Sequence, residues 1–459
     1  MTVSESSSDL HLDWRPDTGR HGLAEALRRA IRDGRLQPGG AVPSTRSLAR
    51  DLGLARGTVT RVYADLTAEG YLHTSQGAPT KVSATGTPVA TPADQGHGPA
   101  CAPWVPKVRW DLYPGRPDPS SFPRTAWLSA TRRVMQSAPA RAFDYGDPQG
   151  SMVLREALAR YLSRSRGVVA DPERIVLCGG FAHGITTLGQ VLAARGDIAF
   201  EDPSLPQFRS AAASGGARVV GVPVDDQGLQ VSSVDSPTVV VTPAHQYPLG
   251  ATLAPQRRTA LARWARTTGG LVVEDDYDGE FRFDRRPVGA LQALAPERII
   301  YAGTVSKTLS PAMRAGWLVV PRALVEPVRS ALAATGWRSP VVDQLILAEL
   351  LTSGAYDRHV RQRRAAYRRR RDRLLAALPT GFTPTGISAG LHAVVGVPDD
   401  GEEEALAATL RHSVAVAGLA PHWIGEKRRS GLVIGYASPA EHAFGPALDA
   451  LVTALRSLH

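Results

Sequence analysis

Apolar positions in the first 82 residues follow helical spacing and then a short alternating stretch. Residues 23–31 predict a first helix, and a second is expected to begin after Ser44, which suits an N-cap. Residues 56–66 predict a third helix, and residues 71–82 predict a short hairpin. Helices joined by a tight turn and followed by a hairpin predict a winged helix-turn-helix, an α+β domain over residues 15–82.

The rest of the chain has a different pattern. Residues 83–107 carry repeated Pro, Ala, Thr and Gly without an apolar period and predict a linker. From residue 108 to 457, short buried-strand runs alternate with helical stretches. This alternation predicts an α/β domain with a mostly parallel sheet covered by helices on both faces, and a smaller C-terminal α+β subdomain. The predicted strands are residues 174–178, 198–201, 238–242, 271–275, 298–303, 317–320, 391–397 and 432–437.

The composition is that of an ordinary globular protein, with 459 residues, 43% hydrophobic and 21% charged. Cys101 and Cys178 are the only cysteines, so neither a disulfide framework nor a cysteine-rich zinc site is expected. The polar opening residues lack the apolar core of a signal peptide, and no run approaches the ~18 apolar residues of a membrane span. We therefore expect a cytoplasmic protein without a membrane partner. The net charge of +10 is compatible with an anionic partner such as nucleic acid.

The predicted winged helix carries an excess of basic residues. Residues 15–82 hold eleven basic and six acidic residues, a net charge of +5. Arg46, Arg50, Arg56 and Arg61 lie on or next to the two helices that would read DNA, and arginine contacts phosphates or guanine edges. Solvated helix faces would account for the same charge equally well, so charge alone leaves both interpretations open.

The order of residue types in this region is more specific than its charge. The segment VPSTRSLARDLGLARGTVTRVYADLTAEGYL resembles the GntR-type winged-helix family in its Pro-Ser-x-Arg-x-Leu-Ala opening, its Arg-x-Thr-Val helix and its Glu-Gly-Tyr-Leu ending. By this resemblance, the residues that face double-stranded operator DNA are Arg46, Arg56, Thr58 and Arg61, with Gly77 at the wing tip. Pro79 stands where the family often has a second glycine, so the wing is expected to differ in geometry.

Three residues near the ends of predicted strands suit an aldehyde cofactor with a pyridine ring. Asp275 ends a buried strand, where α/β sheets bind ligands, and its carboxylate could pair with a protonated ring nitrogen. Tyr277 could hydrogen-bond the ring hydroxyl oxygen. Lys307 follows the next strand and could form a Schiff base if burial lowers its pKa. Together these side chains suit the ring and aldehyde of pyridoxal 5′-phosphate.

A second group of residues suits the phosphate of the same cofactor. Ser306 and Arg314 flank Lys307, and arginine can hold a phosphate through two parallel hydrogen bonds. Another predicted strand runs into Gly179 and Gly180, after which the amides of Phe181 and Ala182 would open a helix and meet an anion. Each feature alone has an ordinary explanation, such as a surface lysine or a turn. In this order and at these strand ends, they predict one pyridoxal phosphate pocket.

The segments FDYGDPQGSMVLREALARYL, EDPSLP, TPAHQYPLG, EDDYDGEF and GTVSKTLSPAMRAGW resemble a fold-type I aminotransferase of class I/II. Behind a GntR-type head, they identify the chain as a member of the MocR family of regulators, similar to those of vitamin B6 biosynthesis. The resemblance implies that Lys307 bonds the cofactor, with Asp275 on its ring nitrogen and Tyr277 on its ring oxygen. The implied phosphate cup comprises Ser306, Arg314, Phe181 and Ala182. A head-to-tail homodimer is also implied, in which Tyr145 reaches the phosphate bound in the other subunit.

The chain departs from the enzymes at positions that matter for substrates. Leu205 replaces the aromatic residue that usually stacks on the cofactor ring, and Tyr247, near His245, replaces an asparagine. Val433 aligns with the arginine that holds a substrate α-carboxylate, while Arg429 is close but off register. A carboxylate clamp orients amino-acid substrates, so its absence weakens the case for turnover.

We therefore expect a pyridoxal phosphate-dependent regulator whose winged helix binds operator DNA and whose second domain senses the cofactor, or an amine, through an aldimine at Lys307. Without the clamp, the cofactor itself is the favoured effector, and promoters of pyridoxal phosphate synthesis are the expected targets. An active aminotransferase with a DNA-binding head and an amine sensor without turnover stay open. A scaffold that has lost its cofactor is disfavoured because Lys307, Asp275 and Arg314 are all present.

One basic run stands apart from these motifs. Nine arginines fall between residues 358 and 373. A solvated face of a subdomain helix is the favoured interpretation, and an electrostatic track for DNA is the alternative.

Overall fold

The computed structural model describes Leu12 and residues 14–75, 78–83, 108–283, 288–397 and 401–458. The chain divides into two compact units, Met1–Trp104 and Val105–His459. The predicted wing-tip residue Gly77 and residues 84–107 of the predicted linker lie outside the described residues.

The first unit is a winged helix-turn-helix, as predicted. Its elements are α1 (Gly19–Arg32), α2 (Thr45–Asp51), α3 (Arg56–Ala68), β1 (Leu72–His73) and β2 (Lys81–Val82). The Ser44 hydroxyl caps α2 by accepting a hydrogen bond from the Ser47 amide at 3.1 Å. One core joins the three helices and the antiparallel β1–β2 pair, since Leu27, Val59 and Leu66 are all buried in it. The packing therefore fixes α2 against α3 and leaves their polar faces in solvent.

The second unit alternates strands and helices before ending in a smaller subdomain. Its elements are β3 (Trp110–Asp111), α4 (Arg124–Ser137), α5 (Met152–Arg166), β4 (Ile175–Cys178), α6 (Phe181–Leu192), β5 (Ile198–Asp202), α7 (Pro206–Ser214), β6 (Val219–Asp225), β7 (Gly228–Leu229), β8 (Thr238–Val241), α8 (Pro255–Thr268), β9 (Leu271–Asp275), β10 (Ile299–Thr304), β11 (Gly316–Val319), α9 (Arg322–Ala334), α10 (Val341–Thr352), α11 (Ala355–Ala377), β12 (Thr383–Thr385), β13 (His392–Gly396), α12 (Glu402–Arg411), β14 (Val414–Ala415), β15 (Ala417–Gly418), β16 (Gly431–Gly435) and α13 (Glu441–Arg456).

The central sheet has eight strands in the order β4-β11-β10-β9-β8-β5-β6-β7. Strands β10, β9, β8, β5 and β6 are parallel neighbours, whereas β11 is antiparallel to both β10 and β4. Strand β4 therefore runs in the same direction as β9 and β10, and their carboxyl ends share one edge. Ligands of α/β sheets bind beyond this kind of edge.

The C-terminal subdomain is built on a four-stranded sheet in the order β12-β13-β16-β15, with α11, α12 and α13 packed around a core of its own. Each of the eight predicted strands corresponds to an observed strand with bounds within one or two residues, and the α/β architecture with a smaller α+β subdomain is confirmed. Among the described residues, no helix has both the length and the apolar character that a membrane crossing requires.

Candidate functional site

Lys307 lies in the turn after β10, at the shared edge of the sheet. Its side chain is half-buried, and its Nζ donates a hydrogen bond to the carbonyl oxygen of Gly115 at 2.6 Å. Burial lowers the pKa of this ammonium group, while the carboxylates of Asp275 and Asp278 oppose the shift. A lowered pKa increases the fraction of neutral amine, which is the form of lysine that attacks an aldehyde.

Asp275 ends β9 and is only 4% exposed. Burial raises the pKa of its carboxyl group well above the ordinary value, and the opposing influence comes from the charge of Lys307. A buried carboxylate is stable in its ionised form only beside a cation. A protonated pyridine nitrogen would supply that cation, so Asp275 fits the role that the sequence assigned to it.

Tyr277 lies two residues beyond Asp275 and shares a hydrogen-bonded cluster with His245 and Asp278. Its hydroxyl oxygen is 3.0 Å from Nδ1 of His245, and the same Nδ1 is 2.7 Å from Oδ2 of Asp278. The rings of His245 and Tyr277 are nearly parallel, with centroids 6.2 Å apart. The sequence predicted Tyr277 as a hydrogen-bonding partner of the cofactor ring oxygen. It did not predict the contacts of His245 with both Tyr277 and Asp278.

The predicted phosphate cup forms where β4 turns into α6. Gly180, the N-cap, has a φ of 96° that favours glycine, and no side chain caps this helix. The first amides of α6, those of Phe181 and Ala182, therefore have no intrahelical acceptor. The Ser306 hydroxyl lies close by, because a Cβ on Gly180 would come within 4.0 Å of its oxygen. The Thr304 hydroxyl lies 2.9 Å from that oxygen and 3.1 Å from the carbonyl oxygen of Ala315, and so holds Ser306 beside the helix start.

Arg314 supplies the positive charge of this cup. It adopts a left-handed backbone conformation with a φ of 46°, and its side chain is exposed. Burial lowers the pKa of His183 on the first turn of α6, and the Arg314 guanidinium adds to that effect. The backbone amide of Arg314 donates a hydrogen bond to Pro311, but within the described residues no hydrogen bond or ion pair involves its guanidinium group. Free amides, a hydroxyl and an unpaired guanidinium near one helix start could together hold a phosphate dianion.

Of the residues that depart from the enzymes, Tyr247 lies beside Tyr277, with ring centroids 6.1 Å apart. Leu205 is half-buried just before α7, and Val433 is buried among apolar side chains of the C-terminal subdomain. Arg429, the nearest arginine in sequence, pairs with Asp226 at 3.3 Å on the surface. Tyr247 packs at the edge of the ring of His392, with centroids 5.0 Å apart. Val433, which the resemblance aligns with the carboxylate clamp of the enzymes, is thus an apolar and buried side chain.

Tyr145 lies away from the other predicted cofactor residues. Its side chain is 87% exposed, and none of the contacts of the described residues joins it to Lys307 or Arg314. Its assignment to the pocket of a second subunit therefore stays a prediction.

The predicted DNA contacts lie at the exposed ends of α2 and α3. Arg46, Arg56 and Arg61 are exposed, Thr58 is half-buried, and none of these arginines has an ion pair within the described residues. On α1, in contrast, Arg28 bonds both Glu25 and Glu69. A Cβ added to the neighbouring Gly57 would meet nothing within 4 Å. The start of α3 is therefore open to a close approach by DNA.

The arginine run forms most of α11, and part of it is structural. Arg370 is buried and donates hydrogen bonds to the Pro439 carbonyl at 2.7 Å and to Glu441 at 2.8 Å. Near the start of α11, Tyr356 and His359 both bond Thr308, the residue after Lys307, at 2.7 and 2.8 Å. The helix is thus fixed to the turn that carries the reactive lysine.

Two known protein families match the chain. The family described as "Aminotransferase class I and II" matches residues 116–428, and the family "Bacterial regulatory proteins, gntR family" matches residues 20–82. Together the two matches include the cofactor residues and the helices of the winged unit.

Full-length relatives share both parts. The chain is 33% identical to the HTH-type pyridoxine biosynthesis transcriptional regulator PdxR of Corynebacterium glutamicum, over 91% of this chain and 92% of that protein. It is 31% identical to the probable rhizopine catabolism regulatory protein MocR of Rhizobium meliloti, over 98% and 96% of the two chains. Among solved structures, an archaeal alanine:glyoxylate aminotransferase is similar with a TM-score of 0.71 and 26% identity, over 77% of this chain and 92% of that one.

Proposed function

This chain belongs to the MocR family of GntR-type transcription regulators with an aminotransferase-like domain. On that premise, we propose that its affinity for operator DNA depends on the concentration of pyridoxal 5′-phosphate. Its cofactor is pyridoxal 5′-phosphate, which contributes an aldehyde that bonds amines and a ring that withdraws electrons. Sensing at Lys307, and the identity of the effector, are the new parts of the proposal.

One contrast within the site carries this proposal. The residues proposed to hold the cofactor within one subunit lie at the shared sheet edge and at the start of α6, while Val433 would leave the α-carboxylate of an amino acid without its usual partner. The described side chains can therefore hold the ring through Asp275, the phosphate through Arg314 and the amides of α6, and the aldehyde through Lys307. Binding of the cofactor is supported more strongly than turnover of an amino acid.

The cofactor itself is the effector that best fits this site. It satisfies both Asp275 and Arg314, whereas an amino-acid effector would bring a carboxylate that Val433 cannot bind. The likeness to a regulator of pyridoxine biosynthesis supports the same choice. We propose promoters of pyridoxal phosphate synthesis as the targets.

A second copy of the chain is the proposed structural partner. Large apolar side chains are exposed on α4 and on the segment that follows it: Leu128, Met135, Phe143, Met152 and Val153, with exposed fractions of 67%, 54%, 56%, 37% and 55%. Apolar side chains exposed in one region mark a protein interface. Tyr145 lies within the same stretch of chain, which supports its proposed role in the pocket of the other subunit.

The test is operator binding by the full chain with and without the cofactor. An operator is first selected from random double-stranded DNA, and binding is then measured by fluorescence anisotropy for the cofactor-free, cofactor-loaded and Lys307→Ala proteins. A ligand shifts a DNA-binding equilibrium only through different affinities for its two states. We expect at least a threefold change in affinity, or a change in stoichiometry, on loading the wild type, and neither in Lys307→Ala. Equal binding by all three proteins would remove the proposal.

Aminotransferase activity is the second candidate function, and the presence of Lys307 and Asp275 in enzyme-like positions favours it. Incubation of the loaded protein with amino acids and 2-oxo acids would reveal ping-pong turnover. A spectral change with one amine but no turnover would instead identify a sensor of that amine.

A further inference from the structure

The hydroxyl of Tyr277 is backed by a buried histidine–carboxylate pair. The side chains of His245 and Asp278 are only 3% and 2% exposed, and Nδ1 of the histidine is 2.7 Å from the carboxylate oxygen. The phenolic oxygen of Tyr277 is 3.0 Å from the same Nδ1. Three polar groups therefore meet at a single ring nitrogen.

The backbone at Gly390 lies close to both His245 and Asp278 and keeps the two side chains together. Gly390 has a φ of +79°, and a Cβ there would lie 2.4 Å from Cε1 of His245 and 2.7 Å from Oδ2 of Asp278. The ring of His392 lies on another side of His245, with centroids 5.2 Å apart. This close packing holds the imidazole in one orientation toward Asp278.

Taking Asp278 as a carboxylate fixes the tautomer of His245. An ionised carboxylate only accepts hydrogen bonds, so Nδ1 of His245 must carry the hydrogen that it shares with Asp278. A protonated Nδ1 has no lone pair left to accept a hydrogen bond from Tyr277. The phenolic proton must then point elsewhere, either to Asp278 or away from the pair.

We propose that His245 and Asp278 are a positioning pair that directs the Tyr277 hydroxyl as a donor to the ring oxygen of pyridoxal 5′-phosphate and holds that oxygen in its anionic form. Asp278 already accepts a hydrogen bond from the N–H of His245. Its carboxylate therefore accepts the phenolic proton of Tyr277 less strongly, and that proton is available to the ring oxygen of the cofactor. Among the described residues, the charged or titratable groups that act on this cluster include Asp275, Lys307, His392, Tyr247 and Tyr436. The proposal rests on the cofactor role described above.

The pH dependence of the visible absorbance of the bound cofactor tests the pair. Tyr277→Phe removes the donor, so the midpoint of the absorbance change should rise by about one pH unit, the scale expected for a lost hydrogen bond to a charged group. His245→Phe frees Asp278 to take the phenolic proton and should raise the midpoint by a similar amount. The double variant should match Tyr277→Phe alone, since His245 acts only through Tyr277.

Conservative and matched variants complete the design. His245→Gln keeps an N–H donor for Asp278 and should stay within about half a pH unit of the wild type, because the donor is what the pair requires. His442→Phe makes the same change at an exposed position on α13, where no described contact joins the side chain to Tyr277 or His245, and serves as the matched control. If His245→Phe fails to fold, Asp278→Asn offers the same test, since loss of the carboxylate lets Nδ1 accept the phenolic proton.

The outcomes separate this inference from the cofactor role itself. A His245→Phe midpoint equal to that of the wild type, or a double variant with summed shifts, would overturn the positioning role. Borohydride trapping of the cofactor on residue 307 would still succeed in that case. A wild-type protein that neither develops colour nor traps the cofactor would instead contradict the proposed function.

Discussion

Burial lowers the pKa of Lys307, and the carboxylates of Asp275 and Asp278 oppose this shift. Asp275→Asn removes the larger of its counter-charges, so the pKa of the ammonium group should fall further. The neutral amine is the form that attacks an aldehyde, and a lower pKa makes that form available at lower pH. The pH profile of colour formation with pyridoxal phosphate should therefore move to lower pH.

The matched control for this change is Asp226→Asn, which alters a carboxylate on the surface, beside Arg429. Its pH profile should superimpose on that of the wild type. An Asp275→Asn profile that stays in place, or moves to higher pH, would contradict the role of Asp275 as the partner of Lys307.

Arg314 is predicted to hold the phosphate without supporting the fold. Its side chain is exposed, and no described residue pairs with it. Arg314→Ala should weaken pyridoxal phosphate binding by about 10- to 100-fold, the value of a charge-assisted hydrogen bond or two, and leave the melting temperature unchanged. Arg322→Ala, at a side chain that is 84% exposed, should change neither quantity. Isothermal titration and thermal unfolding measure the two effects.

At the scale of single residues, the sequence was informative where chemistry is local. Lys307 and Asp275 could be predicted because a charged residue directly after a buried strand is visible in the chain itself. The link from Tyr277 to Asp278 through His245 could not, because it joins residues 33 positions apart. The Gly115 carbonyl that binds Lys307 is 192 positions away and gave no signal of its own.

The start of α3 offers a test at the scale of an element. Gly57 lies within this helix, and a Cβ there would meet nothing within 4 Å. Gly57→Ala should therefore leave the winged unit folded and stabilise it by up to about 1 kcal/mol, because alanine favours a helix over glycine. If DNA approaches this backbone, the same methyl group should weaken operator binding at least about fivefold.

Thermal unfolding and anisotropy on the full chain separate these two effects of Gly57→Ala. Gly53 and Gly70, which lie before and after the same helix, both have a positive φ. A side chain would strain the backbone at either position, so neither glycine is a suitable control. Arg32→Ala on α1, where the arginine pairs with Glu25, is the better control and should leave operator affinity within about twofold. Unchanged DNA binding in Gly57→Ala would place the DNA contact elsewhere.

Strands were predicted accurately where every position is buried and less accurately where buried and exposed positions are mixed. Strand β9 was predicted residue by residue because all five positions are buried. Strand β6 was missed, since its burial is mixed and its apolar run is interrupted by Gly221 and Pro223. The reversed direction of β11 depends on its neighbours in the sheet and leaves no trace in its own sequence. Arg370 shows the same limit, because a buried arginine within a basic run looks like the exposed ones.

The proposed dimer is a property of the whole molecule and can be tested at its apolar surface. Leu128 and Met135 lie two turns apart on one face of α4 and are 67% and 54% exposed. Replacing both with arginine places two charges in the proposed interface, where each should cost about 2 kcal/mol. We therefore expect the dissociation constant of the dimer, measured by sedimentation, to rise at least a hundredfold.

The chain provides its own control for this prediction. Leu294 and Leu410 are exposed to 41% and 43% but lie outside the proposed interface, so the double arginine variant there should leave the dimer intact. If Tyr145 reaches the pocket of the other subunit, the monomeric Leu128→Arg, Met135→Arg variant should also bind pyridoxal phosphate more weakly, because each pocket then lacks one phosphate ligand. A monomer that keeps its full cofactor affinity would confine the site to one subunit, and a variant that stays dimeric would move the interface to another face.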